Sequence, residues 1–400
     1  MGLNDTPQAE RVHIALFGCT NAGKSSLLNA ITGQDAAVVS PQRGTTTDPV
    51  RKAMELQPAG PVLLIDTPGL DDSGTLGELR LEKTAAVLRQ TDVALLVSDS
   101  GTDPKAEEAQ MLSRLQELNI PLLRVFTKSD LPQVQHLPDD AISVSASTGA
   151  GIEALKNAIA ELVLQHSASQ ERKLVADLVP ASSYVSLVIP IDKAAPKGRL
   201  ILPQQQVIRD LLDNGCTPIV TRDSELARVL SDWNAGGSQF SLVITDSQAF
   251  AAVNSIVPAH IPLTSFSILM ARYKGVLNAQ LSNLKKLSQL QPDQRVLIAE
   301  GCTHHRQCGD IGTVKIPAAL RKICGFAPAI DTCSGNSFPT DLSPYSFIVH
   351  CGGCTLTAKE MQNRQQAAKD AHIPLTNYGL VLALASGALN RSLEPLGLNL

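Results

Sequence analysis

Two sets of residues in this chain have the types and spacing to do chemistry. The first is Gly18-Cys-Thr-Asn-Ala-Gly-Lys24-Ser25, which has the form G-x-x-x-x-G-K-S/T. A loop of this kind cradles phosphates on its backbone N–H groups, its lysine reaches the β/γ-phosphates, and its hydroxyl binds Mg²⁺. The second set is richer in soft donors. Cys302 and His304 stand in Gly301-Cys-Thr-His-His305, and after a long gap comes His350-Cys351-Gly352-Gly353-Cys354. Cys351-x-x-Cys354 can give two thiolates to one metal centre, and Cys302 can give a third; zinc and iron–sulfur both accept such donors. A zinc ribbon usually carries two short-spaced cysteine pairs, whereas the first half here is Cys-x-His. Three cysteines without an evident fourth suit a [4Fe–4S] cluster with one exchangeable position. Cys308, Cys324 and Cys333 are spare thiols, and Cys324 has the pattern of a helix core residue.

Further elements of a nucleotide site follow in chain order. Asp66-Thr-Pro-Gly69 ends a predicted strand. Asp66 can hold Mg²⁺ through water, and the Gly69 amide can sense a γ-phosphate. Thr127-Lys-Ser-Asp130 resembles the guanine-specifying Asn-Lys-x-Asp element, with Asp130 accepting from the base and the Lys128 stem packing on it. Ser145-Ala146-Ser147 resembles the loop that contacts the guanine oxygen. Gly44-Thr-Thr-Thr-Asp48 resembles the first switch loop of the TrmE–Era GTPases, which makes Thr46 the Mg²⁺ and γ-phosphate ligand beside Ser25. The expected catalytic set is therefore Lys24, Thr46, Asp66 and Gly69. The nucleotide-binding set is Gly18, Asn21, Ala22, Gly23, Lys24, Ser25, Ser26, Thr127, Lys128, Asp130, Ser145 and Ala146. Two departures stand out. Thr127 replaces the usual Asn, losing a loop-bracing amide but keeping a hydroxyl. Leu70 stands where Ras-like enzymes carry a water-orienting Gln, so slow intrinsic hydrolysis is expected. Asn21 matches the residue that accompanies K⁺ activation in TrmE-like relatives, so K⁺ is a candidate for the charge that an arginine finger supplies elsewhere.

These residues need elements to position them. Residues from about 11 to 165 alternate apolar strand runs with helical patterns, as a doubly wound, mostly parallel α/β sheet does. Strands are expected at Val12–Phe17, Val62–Ile65, Val93–Val97, Leu122–Phe126 and Ile142–Ser145, with an antiparallel edge at Val50–Gln57. A second α/β pattern runs through the middle of the chain. A third starts with a long helix, Ile268–Leu290, and ends with a helix Asn377–Asn390. Cys302 and Cys351 each lie just past the carboxyl end of a predicted strand; if those strands are parallel neighbours, the thiols share one crevice. The fold expected is thus α/β: a P-loop GTPase domain (1–168), then two smaller α/β domains (169–266 for dimerisation, 267–400 for the metal site).

Composition narrows the function. The 400 residues are 44% hydrophobic and 18% charged, as in globular chains. A net charge of −4 and only 3% aromatic residues argue against a nucleic-acid partner. The longest suspicious apolar run, Tyr378–Leu389, is too short to span a bilayer, and the polar start of the chain lacks an export signal. Cytoplasmic placement is expected, and there eight cysteines point to metal binding or catalysis rather than disulfides.

The order Cys302-x-His304, a long gap, His350-Cys351-x-x-Cys354, behind a TrmE-like GTPase domain, resembles the [FeFe]-hydrogenase maturation GTPases over the whole chain. That resemblance implies a [4Fe–4S] cluster on Cys302, Cys351 and Cys354, with His304 or His350 as candidate fourth ligand. It implies a scaffold that assembles a diiron subcluster precursor and transfers it to apo-[FeFe]-hydrogenase, with two radical-SAM maturases as partners and a homodimer or higher assembly. GTP and Mg²⁺ are the implied nucleotide cofactors. The alternative reading is a TrmE-like tRNA-modification or ribosome-assembly GTPase with a structural zinc.

Overall fold

The computed structural model describes residues 6–33, 49–71, 75–103, 105–132, 137–168, 174–191, 200–301, 310–335 and 337–400. Thr46, Cys302, His304 and Cys308 lie outside the described residues. Two compact units divide between Glu171 and Arg172.

The N-terminal unit runs β1 (Val12–Phe17), α1 (Lys24–Thr32), β2 (Val50–Leu56), β3 (Gly60–Asp66), α2 (Thr75–Gln90), β4 (Val93–Asp99), α3 (Ala106–Glu117), β5 (Leu122–Thr127), β6 (Ala141–Ser143) and α4 (Ile152–Ala168). Its six-stranded sheet has the order β2-β3-β1-β4-β5-β6, parallel except for the β2–β3 edge pair. Alternation along β1 explains its unbroken apolar run. Ile14 and Leu16 enter a core with Leu27, Leu28 and Ile31 of α1 and Ile159 and Val163 of α4. Ala15 and Phe17 enter the opposite core with Val87 and Leu115 of α2 and α3. A sheet covered on both faces needs apolar side chains at every position. The loops after β1, β3 and β5 therefore gather at one carboxyl edge, where such sheets place ligands.

The C-terminal unit runs β7 (Tyr184–Val188), α5 (Leu202–Asp213), β8 (Thr217–Thr221), α6 (Leu226–Ala235), β9 (Leu242–Thr245), α7 (Phe250–Ile256), β10 (Leu263–Ser265), α8 (Phe266–Tyr273), α9 (Leu277–Leu284), β11 (Arg295–Glu300), α10 (Ile316–Cys324), β12 (Ala329–Ser334), β13 (Phe347–His350), α11 (Ala358–Asp370), β14 (Leu375–Asn377), α12 (Tyr378–Ala385) and α13 (Leu389–Leu393). It holds two four-stranded parallel sheets, β10-β9-β7-β8 and β12-β11-β13-β14. Helix α8 serves both. Phe266, Leu269 and Met270 pack with β7 and β9, whereas Ile268 and Ala271 pack with β11 and β13. Arg391 of α13 ties the end of the chain to the first sheet by donating to the carbonyls of Asn254, Val257, Pro258 and Ile261.

The structure corrects three expectations. The single helix expected over Ile268–Leu290 is broken: α8 ends at Tyr273, Gly275 takes a left-handed φ of +73°, and α9 restarts at Leu277. The closing helix breaks likewise at Gly387 (φ +74°), separating α12 from α13. Strands β10, β12 and β14 were not expected. All three are sheet edges, short or polar in sequence, because an edge strand has one neighbour and less surface to bury. Among the described residues no helix is long and apolar enough to cross a membrane.

Candidate functional site

Nucleotide chemistry centres on the turn from β1 into α1. Helix α1 starts at Lys24 with Gly23 as its cap and no side chain on its first N–H groups, so that end is open to an anion. Lys24 is only 7% exposed. Its Nζ donates to the carbonyls of Gly18 and Cys19, each at 2.8 Å, which curls the loop around the ammonium. Ser25 Oγ donates to Asp66 Oδ2 at 2.6 Å. Asp66 is wholly buried, and its Oδ1 has no hydrogen-bond partner among the described residues. Burial pushes its carboxyl above the usual range against the pull of Ser25 and Lys24. An orphaned carboxylate oxygen beside a serine hydroxyl fits a hard cation such as Mg²⁺.

The segment after Asp66 lies on the phosphate loop. Leu70 N–H donates to Gly18 O at 3.2 Å. Thr20 N–H donates to Asp71 Oδ1 at 2.5 Å, and Lys105 at the start of α3 bonds Asp71 Oδ2 at 2.8 Å. Burial raises the Asp71 carboxyl, but the bonds from Lys105 and Thr20 outweigh it and hold the group well below its ordinary range. Asp71 and Lys105 were missed by sequence reasoning. An acidic residue directly after Asp66-Thr-Pro-Gly69-Leu70 was the available signal.

The residues expected to recognise the base lie at or past the ends of β5 and β6. Thr127 Oγ1 donates to Ala22 O at 2.6 Å, so the hydroxyl braces the phosphate loop although the usual amide is absent. Lys128 Nζ pairs with Asp99 at 2.6 Å. Asp130 accepts from Ser145 Oγ at 2.6 Å and Ser147 Oγ at 3.1 Å. The Ser145 bond chiefly holds its carboxyl below the usual range. An ionised Asp130, presented this way, is an acceptor pair for two N–H donors on one edge of a base. Ala146 sits in the same turn, closed by Ser145 N–H on Ala150 O at 2.9 Å.

The thiol corner lies at the ends of β11 and β13, which pair in parallel with Ala299 opposite His350. Cys351 N–H donates to Ala299 O at 2.8 Å, fixing the cysteine at the strand end. Its Sγ accepts from Gly301 N–H at 3.0 Å and Gly353 N–H at 3.3 Å. Gly353 has φ +61°, and a Cβ there would meet Met361 Sδ at 2.6 Å, so the tight turn requires glycine. Burial pushes the Cys351 thiol up to about 11. Cys354 is also pushed up by burial, with Lys274 pulling the other way. Losing those protons near neutrality therefore needs a compensating cation, which is how a thiolate metal site forms. Two backbone N–H groups aimed at one sulfur fit a metal-bound thiolate.

His350 is turned away from such a role. It is wholly buried; Nδ1–H donates to Cys351 O at 2.8 Å and Nε2 accepts from Arg364 Nη1 at 3.1 Å. Burial and the neighbouring Arg364 lower its pKa to about 3, so the ring is neutral. Both nitrogens are used, and the expectation of His350 as fourth ligand does not match this placement. Arg364 is in turn paired with buried Glu360 at 2.9 Å and donates to Gly335 O. Cys324 packs on the α9–α10 core, as its helical pattern suggested, and Cys333 lies on β12. Among the described residues no three His, Cys, Asp or Glu side chains cluster to hold a metal; Cys302, the expected third thiolate, is not among them.

Comparison with known proteins accounts for both halves. Residues 278–395 match the hydrogen maturase F tetramerization domain, and residues 174–275 match the hydrogen maturase F dimerization domain. The chain belongs to the hydrogen maturase F family. Residues 13–128 match the 50S ribosome-binding GTPase family. Together with the phosphate loop and its Mg²⁺ corner, this makes the family member a P-loop GTPase that self-associates through its C-terminal unit. The tRNA modification GTPase MnmE of Dichelobacter nodosus is 39% identical over 157 residues, covering 38% of this chain and 34% of that protein. MnmE of Herminiimonas arsenicoxydans is 35% identical over 161 residues with the same coverage. The chain thus spans about a third of the length of these curated relatives. Among solved structures, Era of Aquifex aeolicus bound to GDP and AlF₄⁻ aligns at 24% identity with a TM-score of 0.34, covering 38% of this chain and 56% of that one. The G domain of the T. maritima FeoB iron transporter aligns at 26% identity with a TM-score of 0.30, covering 40% and 99%.

Proposed function

We propose that this GTPase is a scaffold in the maturation of [FeFe]-hydrogenase. On this reading residues 1–168 bind and hydrolyse GTP, residues 169–266 mediate self-association, and residues 267–400 hold the metal site. Cys351 and Cys354, joined by Cys302, would hold a [4Fe–4S] cluster, which supplies an iron with an exchangeable position. The cargo is a diiron subcluster precursor, received with the help of two radical-SAM maturases and passed to apo-[FeFe]-hydrogenase. One observation carries the reading: the sulfur cradle at Cys351 lies at paired strand ends inside the segment matched to hydrogen maturase F.

The chain's own residues supply the rest. Lys24 and the open start of α1 bind phosphate charge. Ser25, Asp66 and Thr46 hold Mg²⁺, and Asp130 with Ser145 reads guanine. Leu70 offers no group to orient water, so hydrolysis is slow. Asn21 recruits K⁺ to the phosphates; equal rates in K⁺ and Na⁺ buffers would exclude that role. His304 remains the histidine candidate for the open iron position, since His350 would have to surrender Arg364.

Anaerobic reconstitution tests the proposal. The wild-type chain is expected to turn brown and to carry stoichiometric iron and sulfide. A colourless chain holding one zinc per protomer would overturn it in favour of the tRNA-modification or ribosome-assembly reading. The MnmE matches lend that alternative only the GTPase part of the chain.

A further inference from the structure

The break between α8 and α9 puts a lysine against the turn that carries Cys351 and Cys354. Lys274 ends the turn that Gly275 makes possible, and it is only 3% exposed. Its Nζ donates to Gly353 O and, at 2.7 Å, to Leu356 O. Those carbonyls flank Cys354, so one ammonium ties both sides of the Cys351–Leu356 turn to a helix far away in sequence. The lysine is itself held in place, because Gln362 Nε2 of α11 donates to Lys274 O at 3.1 Å.

We propose that Lys274 is a positioning residue of the thiol site, fixing the Cys-x-x-Cys turn and favouring a negatively charged, thiolate-bound metal group there. The inference rests on the scaffold reading given above. A centre held by several thiolates has net negative charge, and a cation set behind its backbone lowers the free energy of that form. Cys354 stands in sequence between the two carbonyls that Lys274 holds, so it is the sulfur that the lysine serves most directly. A lysine at this point also makes the site depend on the α8–α9 turn, where the two matched hydrogen maturase F domains adjoin.

The test uses the full-length chain, anaerobic and metal-free, titrated with Co²⁺ and followed by its sulfur-to-metal charge-transfer band. The same protein is then reconstituted with iron and sulfide, and the reduction potential is measured. Lys274→Gln keeps a donor but removes the charge. It is expected to weaken Co²⁺ binding by about tenfold, the usual effect of losing an outer partner of a metal ligand, and to shift the potential to more negative values. Lys274→Arg, which restores the charge, is expected to return both towards wild type. Wild-type affinity and potential in folded Lys274→Gln would overturn the inference. A potential that does not move while the melting temperature falls would reduce Lys274 to a structural brace and equally overturn it. Should Lys274→Gln fail to fold, Gln362→Ala loosens the lysine without removing it. A few-fold loss of Co²⁺ affinity is then expected, and an unchanged affinity would count against the proposal. If the wild-type chain itself shows no charge-transfer band, or shows one that survives Cys351→Ala with Cys354→Ala, the scaffold reading fails rather than the role of Lys274.

Discussion

At the nucleotide end, the loop Gly18–Ser25 carries much of its own geometry. Lys24 bonds carbonyls five and six residues back, and the first turn of α1 presents its N–H groups directly. At the thiol end, Cys351 is held by Gly301, the turn around Cys354 is held by Lys274, and His350 is pinned by Arg364. Those partners come from three different elements. A phosphate site can be built from consecutive amides because many N–H groups share the charge. A thiolate site concentrates charge on a few sulfurs, so its support has to arrive from several directions. One site thus draws its ligand-facing groups from one short stretch, braced by Thr127 and Asp71, and the other depends on remote residues for its arrangement.

The comparison can be broken outright by crossing the two sites. Cys351→Ala is expected to abolish iron loading while GTP hydrolysis stays within about twofold, a span too small to reflect loss of a stabilising contact. Lys24→Ala should cost on the order of 10²–10³ in hydrolysis rate, the range for removing one charge-stabilising donor, with iron loading retained. Iron analysis and phosphate release on the same preparations check both. Loss of both functions in either variant would mean that the sites are not separable.

Next in size is the remote support of the thiol corner. Arg364→Ala leaves Glu360 buried without its ion pair and removes the donor to His350. A loss of about 3–5 kcal/mol in unfolding free energy of the C-terminal unit is expected by urea denaturation. A loss below about 1 kcal/mol, the scale of an exposed ion pair, would show that the thiol corner does not lean on distant residues.

The smallest expected effects sharpen the nucleotide side. Asp130→Ala removes an acceptor for two base N–H groups and should lower preference for GTP over ATP by roughly 10²-fold, at about 1.5 kcal/mol for each charge-assisted bond. Thr127→Val removes the brace to Ala22 O and the longer contact to Ser98 O. About 1 kcal/mol, or roughly fivefold in GTP affinity, is expected. Competition binding against labelled GDP measures both.

Much of this was legible in the residues alone. The strands of the N-terminal unit read clearly because both faces are buried, so each is a continuous apolar run. Val50–Gln57 read as an antiparallel edge because the turn Pro58-Ala-Gly-Pro61 leads from it straight into the next strand, and the structure forms it as Val50–Leu56 with alternating burial. The C-terminal unit read less well. Its edge strands β10, β12 and β14 are short and half-polar, and the apolar periodicity around Tyr273-Lys274-Gly275 passes through a break that periodicity does not register. A glycine in a helical pattern is tolerated often enough that its left-handed conformation shows only in the fold.

The sequence by itself determined the phosphate loop, the order of the guanine-reading elements and the Cys-x-x-Cys pair, because each is local. A few consecutive residues set the backbone, and their chemistry follows from it. Only the tertiary structure decided that His350 faces Arg364, that Asp71 lies on Thr20, and that Lys274 holds the carbonyls on either side of Cys354. Each depends on strand register, on the path of a loop or on a helix that breaks where its pattern runs on. Such choices are made by packing between elements far apart in the chain, where no short motif carries the information.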